Sequence, residues 1–126
     1  MNLDERQSGE VTGDDLVQLA LLGEAIACAV AVAVFVWNDD RDYVAVNDYA
    51  CELVGLSRDE LLATRVGDQT AGRASPLLDE VQRTPVSSGS LTLTRADGAE
   101  VPIDWVTFET SIAGLRYMAS LCWKAR

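Results

Sequence analysis

The chain has 126 residues, 48 % of them apolar, with a mean hydropathy of +0.07, which describes one globular domain with a core of its own and not a disordered chain. Its formal charge of −10, from 20 acidic against 10 basic residues, repels phosphate backbones and anionic headgroups, so neither nucleic acid nor a membrane surface is an expected partner. There is no histidine, which excludes a histidine general base, a Ser-His triad and imidazole ligation of zinc or haem.

Residues 1–13 are polar, charged and aperiodic, and read as a flexible leader without the basic start of a signal peptide. Thr12 to Asp15 offers a weak capping box, and the two aspartates suit the positive end of a helix. Over 14–29 a helix is expected, with Leu16, Leu19, Gly23 and Ile26 on one stripe and Val17 and Leu21 widening it. A stripe that wide predicts cover on more than one side. Leu16 to Trp37 is mostly apolar, but Gln18 and Glu24 interrupt it, and the unbroken part from Ala25 is 13 residues long. A membrane span needs about 20, so a helix passing into a strand is the better reading.

Phe35 to Gly67 carries the densest run of signals. Phe35-Val36-Trp37 ends a strand, Asn38 to Asp42 is a polar turn cluster, and Tyr43 to Val46 is a second strand, together a hairpin. Asn47 stands at a helix N-cap and Gly55 at the matching C-terminal stop. Ser57 and Glu60 form a capping box ahead of Leu61-Leu62. Helices this short persist only when pinned to a sheet.

Val66 to Gly72 reads as a loop and Ala74 to Gln82 as a helix, with Pro76 in its first turn and Leu77, Leu78 and Val81 on one face. Pro85 and Ser87-Ser88-Gly89 should end it. Leu91 to Thr94 alternates as a strand does, Asp97-Gly98 is the strongest hairpin turn, and Val101 to Ile112 is a long strand, with Pro102 disfavouring full pairing near its start. Gly114 turns the chain into a last strand, Leu115 to Trp123.

This order of signals resembles the PAS domain family, which opens with strand, acidic turn, strand and an N-x-A-x-x-x-L-x-G-like helix leading into a second capped one. Asp39, Asn47, Leu53, Gly55, Ser57, Glu60 and Leu61 stand at the matching positions, with Ala50 one place beyond the pattern's alanine and Gly67 four places beyond its last glycine, and Gly89 to Trp105 is similar to the third and fourth strands around an Asp-Gly hairpin. The likeness covers roughly residues 30 to 124. It implies an α+β fold: a five-stranded antiparallel sheet, short helices on one face, an N-terminal cap helix over 14–29, and a PAS domain over 30–126.

The resemblance further implies a small pocket between sheet and helices. Its candidate lining is Trp37, Leu53, Leu62, Leu78, Trp105, Met118 and Trp123, which would suit an apolar small molecule or a lipid, although the three tryptophans could equally be core. Both residue sets of the fourth strand are apolar, so its far face should be covered by the N-terminal helix or by a second copy of the chain, with Leu16, Leu19, Gly23 and Ile26 as the dimer contact. The cofactor is left open, with two chemistries disfavoured. The photoreactive flavin motif around a cysteine after Gly67 is missing, Cys51 lying instead in the earlier helix, and the family's histidine-ligated haem has no ligand; Cys122 or Met118 would have to replace it. Three cysteines, Cys28, Cys51 and Cys122, without a C-x-x-C and without a secretory signal, read as reduced, buried cytoplasmic thiols. Asp104 and Glu109 could meet a polar ligand or solvent, Asp39-Asp40 is turn chemistry, and neither catalytic nor metal-ligating residues stand out. The expected role is that of a sensory module in a regulator of bacterial type, acting on an attached or partner output domain. The alternative is a ligand-free dimerisation scaffold with a side-chain-filled core.

Overall fold

The structure, a computed structural model, describes residues 13–68 and 75–125. In chain order these form α1 (Gly13–Ala27), β1 (Ala33–Trp37), β2 (Tyr43–Val46), α2 (Asp48–Val54), α3 (Arg58–Leu62), α4 (Ser75–Arg83), β3 (Val86–Thr94), β4 (Glu100–Ile112) and β5 (Leu115–Lys124). The strands make one antiparallel sheet in the order β2-β1-β5-β4-β3. α2 packs on β1 and α3 on β2, so the first hairpin carries the helical layer. Five antiparallel strands with short helices on one face are the expected architecture. Residues 1–12 of the leader, with the Thr12 cap, fall outside the described residues, and Gly13, read as its last residue, opens α1.

Asn47 fastens the helical layer to the sheet. Its Oδ1 accepts from Ala50 N at 3.0 Å, the N-cap bond, and from Val34 N at 3.0 Å, while Nδ2 donates to Val32 O at 2.9 Å and Ile26 O at 3.4 Å. One buried amide thus joins the end of α1, the start of β1 and the start of α2. Gly55 then ends α2 at φ 82°, a left-handed conformation suited to glycine. The carbonyls left open there are met from the far end of the sheet: Arg95 Nη1 donates to Glu52 O at 2.8 Å and Leu53 O at 2.7 Å, and Ala96 N to Val54 O at 2.9 Å. The Ser57–Glu60 capping box at α3 is present in both directions.

Two expectations need correction. First, α1 does not hide its apolar stripe: Leu21 is 65 % and Ile26 45 % exposed, and Leu16, Val17 and Leu22 are exposed as well. The connection from α1 to β1 is only Cys28 to Val32, and the helix end is tied at Asn47, so the width of the stripe does not report burial within this chain. The far face of the sheet, carrying Val34, Val36, Val106, Phe108 and Leu121, is accordingly only half-buried. Second, β3 begins at Val86, inside the segment read as a turn, because Val86 to Ser90 pair in register with Asp104 to Phe108 and the ladder overrides the turn preference of Ser-Ser-Gly. As expected, Pro102 near the start of β4 is not fully paired: it stands opposite Thr92 on β3 but outside the β4–β5 register. Its carbonyl, and hence its missing N–H, faces β5 where that strand has ended, the carbonyl accepting from Ala125 N at 3.0 Å, so no ladder bond is lost.

Candidate functional site: an apolar cavity under α4

Alternation sends Phe35 and Trp37 of β1, Ile103, Trp105 and Thr107 of β4, and Ser120 and Cys122 of β5 to the face that carries the helices. Leu91 and Leu93 of β3 join them. A bulge completes the set. The β1–β2 register runs Phe35↔Val46 and Val36↔Ala45 but then Trp37↔Tyr43, skipping Val44. That extra residue turns Tyr43 onto the inner face, where its ring lies 5.3 Å from that of Phe35. Val54 of α2, Val66 and Gly67, and Leu78 and Val81 of α4 close the other side. Between them lies a cavity of about 100 Å³.

Among the described residues no side chain in this lining is an ordinary acid or base near neutral pH. Burial pushes the Cys122 thiol up to about 12, and burial likewise raises the Tyr43 hydroxyl, so both are neutral and protonated at physiological pH. The polar atoms form a short chain on the sheet floor: Trp37 Nε1 donates to Ser120 Oγ at 2.9 Å, and Ser120 Oγ lies 2.7 Å from Thr107 Oγ1. Trp105 Nε1 is buried without a partner among the described residues. The interactions such a surface can offer are shape, apolar contact and hydrogen-bond donation. Among the described residues no group of three or more histidines, cysteines or acids could hold a metal.

Of the residues expected at the pocket, Trp37, Leu78 and Trp105 line the cavity. Leu53 and Met118 are fully buried beside it without lining it, and Leu62 is half-buried. Trp123 is on the opposite face, paired with Asp104 and 37 % exposed, because the even partner Cys122 takes the inward position. Asp104 accepts from Ser90 Oγ at 2.5 Å on that outer face, and Glu109 pairs with Arg116, so neither reaches the cavity. Cys28 departs from the expectation of buried thiols: it is exposed after α1, its Sγ donating to Glu24 Oε1 at 3.5 Å. Of the dimer candidates, Leu16, Gly23 and Ile26 are exposed on α1, and the side chain of Leu19 lies outside the described part. Thr107 and Ser120 were missed. They read as ordinary strand residues until the register places them together under the tryptophans.

α4, which covers the cavity, is held by side chains from β5 and from the β1–β2 turn. Arg116 Nη1 pairs with Asp39 Oδ1 at 2.6 Å and Nε with Glu109 Oε1 at 2.8 Å, while Nη2 donates to Gln82 O. Arg41 Nε donates to Gln82 Oε1 at 3.0 Å and pairs through Nη2 with Asp79, and Gln82 Nε2 donates to Asp39 O at 2.9 Å.

A family model described as the PAS fold matches residues 21–105. No curated protein sequence matches the chain. Among solved structures, the chain is similar to a PAS domain from a two-component sensor histidine kinase (17 % identity, 87 % of this chain and 98 % of that one, TM-score 0.74). It is similar to the PAS domain of an HTR-like protein from Haloarcula marismortui (14 %, 89 % and 96 %, 0.74). It is also similar to the light state of the blue-light photoreceptor Aureochrome1 LOV (14 %, 83 % and 89 %, 0.66).

Proposed function

The chain belongs to the PAS fold family, and from that premise we propose that it is a sensory module that takes a small, largely apolar molecule into its cavity and passes the change in packing to an output domain, attached or in a partner protein. The observation that carries this reading is the cavity of about 100 Å³ with no charged side chain among the described residues of its lining. A rigid cavity of about 150 Å³ accepts benzene, so this space suits a compact ring or short chain and not a whole lipid. An occupant would press on Leu78 and Val81 and so bias how α4 sits against its Arg116 and Arg41 contacts, a shift between two packings. Among the described residues the lining offers neither an acid–base pair nor an activated nucleophile, and the Cys122 thiol is held protonated, which supports binding as the role of this site.

Homodimerisation is the second part of the reading. The exposed stripe of Leu16, Val17, Leu21, Leu22 and Ile26 on α1 and the half-buried valines and Phe108 on the outer sheet face are apolar surfaces in want of cover. A second copy supplies both at once, and a cytoplasmic setting fits the free thiols. Native mass spectrometry of the purified protein, set against its denatured mass, tests both parts. A dimer with an added mass of small-molecule size supports them. A clean dimer favours a scaffold, and a monomer without added mass overturns the dimer.

A further inference from the structure

The cavity wall holds a hydrogen-bond donor that no described residue receives. Trp105 is 8 % exposed, lines the cavity, and its Nε1–H has no acceptor among the described residues. The hydroxyls of Thr107 and Ser120 add a second donor by proton accounting. Ser120 Oγ accepts from Trp37 Nε1–H and shares one hydrogen bond with Thr107 Oγ1. That bond consumes one of the two hydroxyl hydrogens, whichever residue donates, and leaves the other without a described partner. Such donors are seldom left buried and unmet, since each loses its bond to water. Among the described residues the lining contains no carboxylate, side-chain amide or imidazole that could swing in as acceptor, and no cation that could balance an anion. The net charge of −10 works against an anionic ligand as well.

We infer that the ligand of this cavity is a compact, neutral molecule bearing an acceptor oxygen of the carbonyl or ether kind, which takes the Trp105 Nε1–H bond and has the free hydroxyl hydrogen of the Thr107–Ser120 pair as second donor. The inference rests on the reading of the cavity as a ligand site and deepens it. A hydrocarbon of the same shape gains the same apolar contact but leaves the indole N–H dry. An anion would enter without a counter-charge. A neutral ketone, aldehyde, ester or ether meets both conditions.

Cyclohexanone and methylenecyclohexane share ring and shape and differ in C=O against C=CH₂, which makes them the probes. Each is titrated into the ¹⁵N-labelled full chain, following the three indole N–H signals, with that of Trp105 assigned by its loss in Trp105→Phe. The ketone should bind about threefold to tenfold more tightly, the worth of one net hydrogen bond, and should move the Trp105 indole proton downfield more than the alkene does. In Trp105→Phe, which removes the indole donor, the ketone should lose most of its advantage over the alkene. Equal affinities, tighter binding of the alkene, or an unmoved Trp105 signal in the ketone complex overturns the acceptor inference and leaves the cavity a ligand site. No binding of either probe at millimolar concentration overturns both.

Discussion

Gly89 and Trp105 stand opposite each other on β3 and β4, and the indole occupies the space above residue 89: a Cβ there would lie 3.0 Å from Cζ2 and 3.3 Å from Nε1 of Trp105. The cavity wall therefore depends on a residue without a side chain. Gly89→Ala forces the indole to give by a few tenths of an ångström, and the cavity beside it offers room to do so. Alanine also stiffens the unfolded chain relative to glycine, a gain of about 0.4–1 kcal/mol. The two effects offset, so stability should change by less than about 1 kcal/mol while the cavity narrows. Urea unfolding together with the Trp105 indole signal checks this. A large loss of stability would mean that the indole has nowhere to move.

The β4–β5 turn carries a local strain that a single substitution can remove. Ala113 at φ 53° and Gly114 at φ 78° are the two central residues of a hairpin turn with both φ positive, the type I′ arrangement that Asn-Gly fits best. Alanine in the left-handed region costs about 1–2 kcal/mol, a penalty that asparagine largely escapes. Ala113→Asn should raise stability by about 0.5–1 kcal/mol, read as a higher urea midpoint at unchanged slope. A lower midpoint would rule out the type I′ turn.

Much of this fold is legible in the sequence because its signals are local. The Asn47 cap, the Gly55 stop, the Ser57–Glu60 box and the Asp97-Gly98 hairpin each act within a few residues, and each is found in place. What could not be read depends on partners distant in sequence. The bulge at Val44 that turns Tyr43 inward is fixed by the register of β1 against β2. The meeting of Thr107 with Ser120 is fixed by that of β4 against β5. Trp123 was misplaced for the same reason: alternation tells which residues share a face, but only the neighbouring strands tell which face is inner. The exposed stripe of α1 marks a further limit, since periodicity reports an apolar face without reporting what covers it.

Two titrating groups in the cavity wall set the alkaline limit of stability. Burial raises Cys122 from 9.0 to about 12 and also raises Tyr43. In the unfolded chain both regain ordinary values, so above those values the unfolded state loses protons that the native state retains. The contribution is whole below pH 9 and is lost as pH rises toward 12, at up to about 1.4 kcal/mol per pH unit for each group. Denaturant midpoints should fall from about pH 9 upward. In Cys122→Ala the fall should begin about one pH unit later, where tyrosine titrates. An unchanged pH profile in that variant would show that Cys122 ionises as easily in the folded chain as in the unfolded one.

Arg116 is the residue on which the cover of the cavity hangs. Its guanidinium joins Asp39 in the β1–β2 turn, Glu109 on β4 and the carbonyl of Gln82 on α4, and the Gln82 side chain returns a bond to Asp39 O at 2.9 Å. The arginine side chain is 32 % exposed, so these contacts are partly screened, and Arg116→Ala should cost about 1–2 kcal/mol of global stability. The larger effect should be local. α4 packs on the sheet through Leu78 and Val81 across a cavity, so it has few apolar contacts to hold it once the polar ties are cut. Amide exchange over residues 75–83 should accelerate well beyond that of β4 and β5 in Arg116→Ala. Arg116→Lys should fall between the two, because an ammonium cannot span three acceptors set around a planar fork. Raised salt should act on the native protein in the same direction by weakening the Asp39 and Glu109 pairs. Acceleration spread evenly over helix and sheet would instead place Arg116 among the general supports of the fold and remove it as the tie that governs access to the cavity.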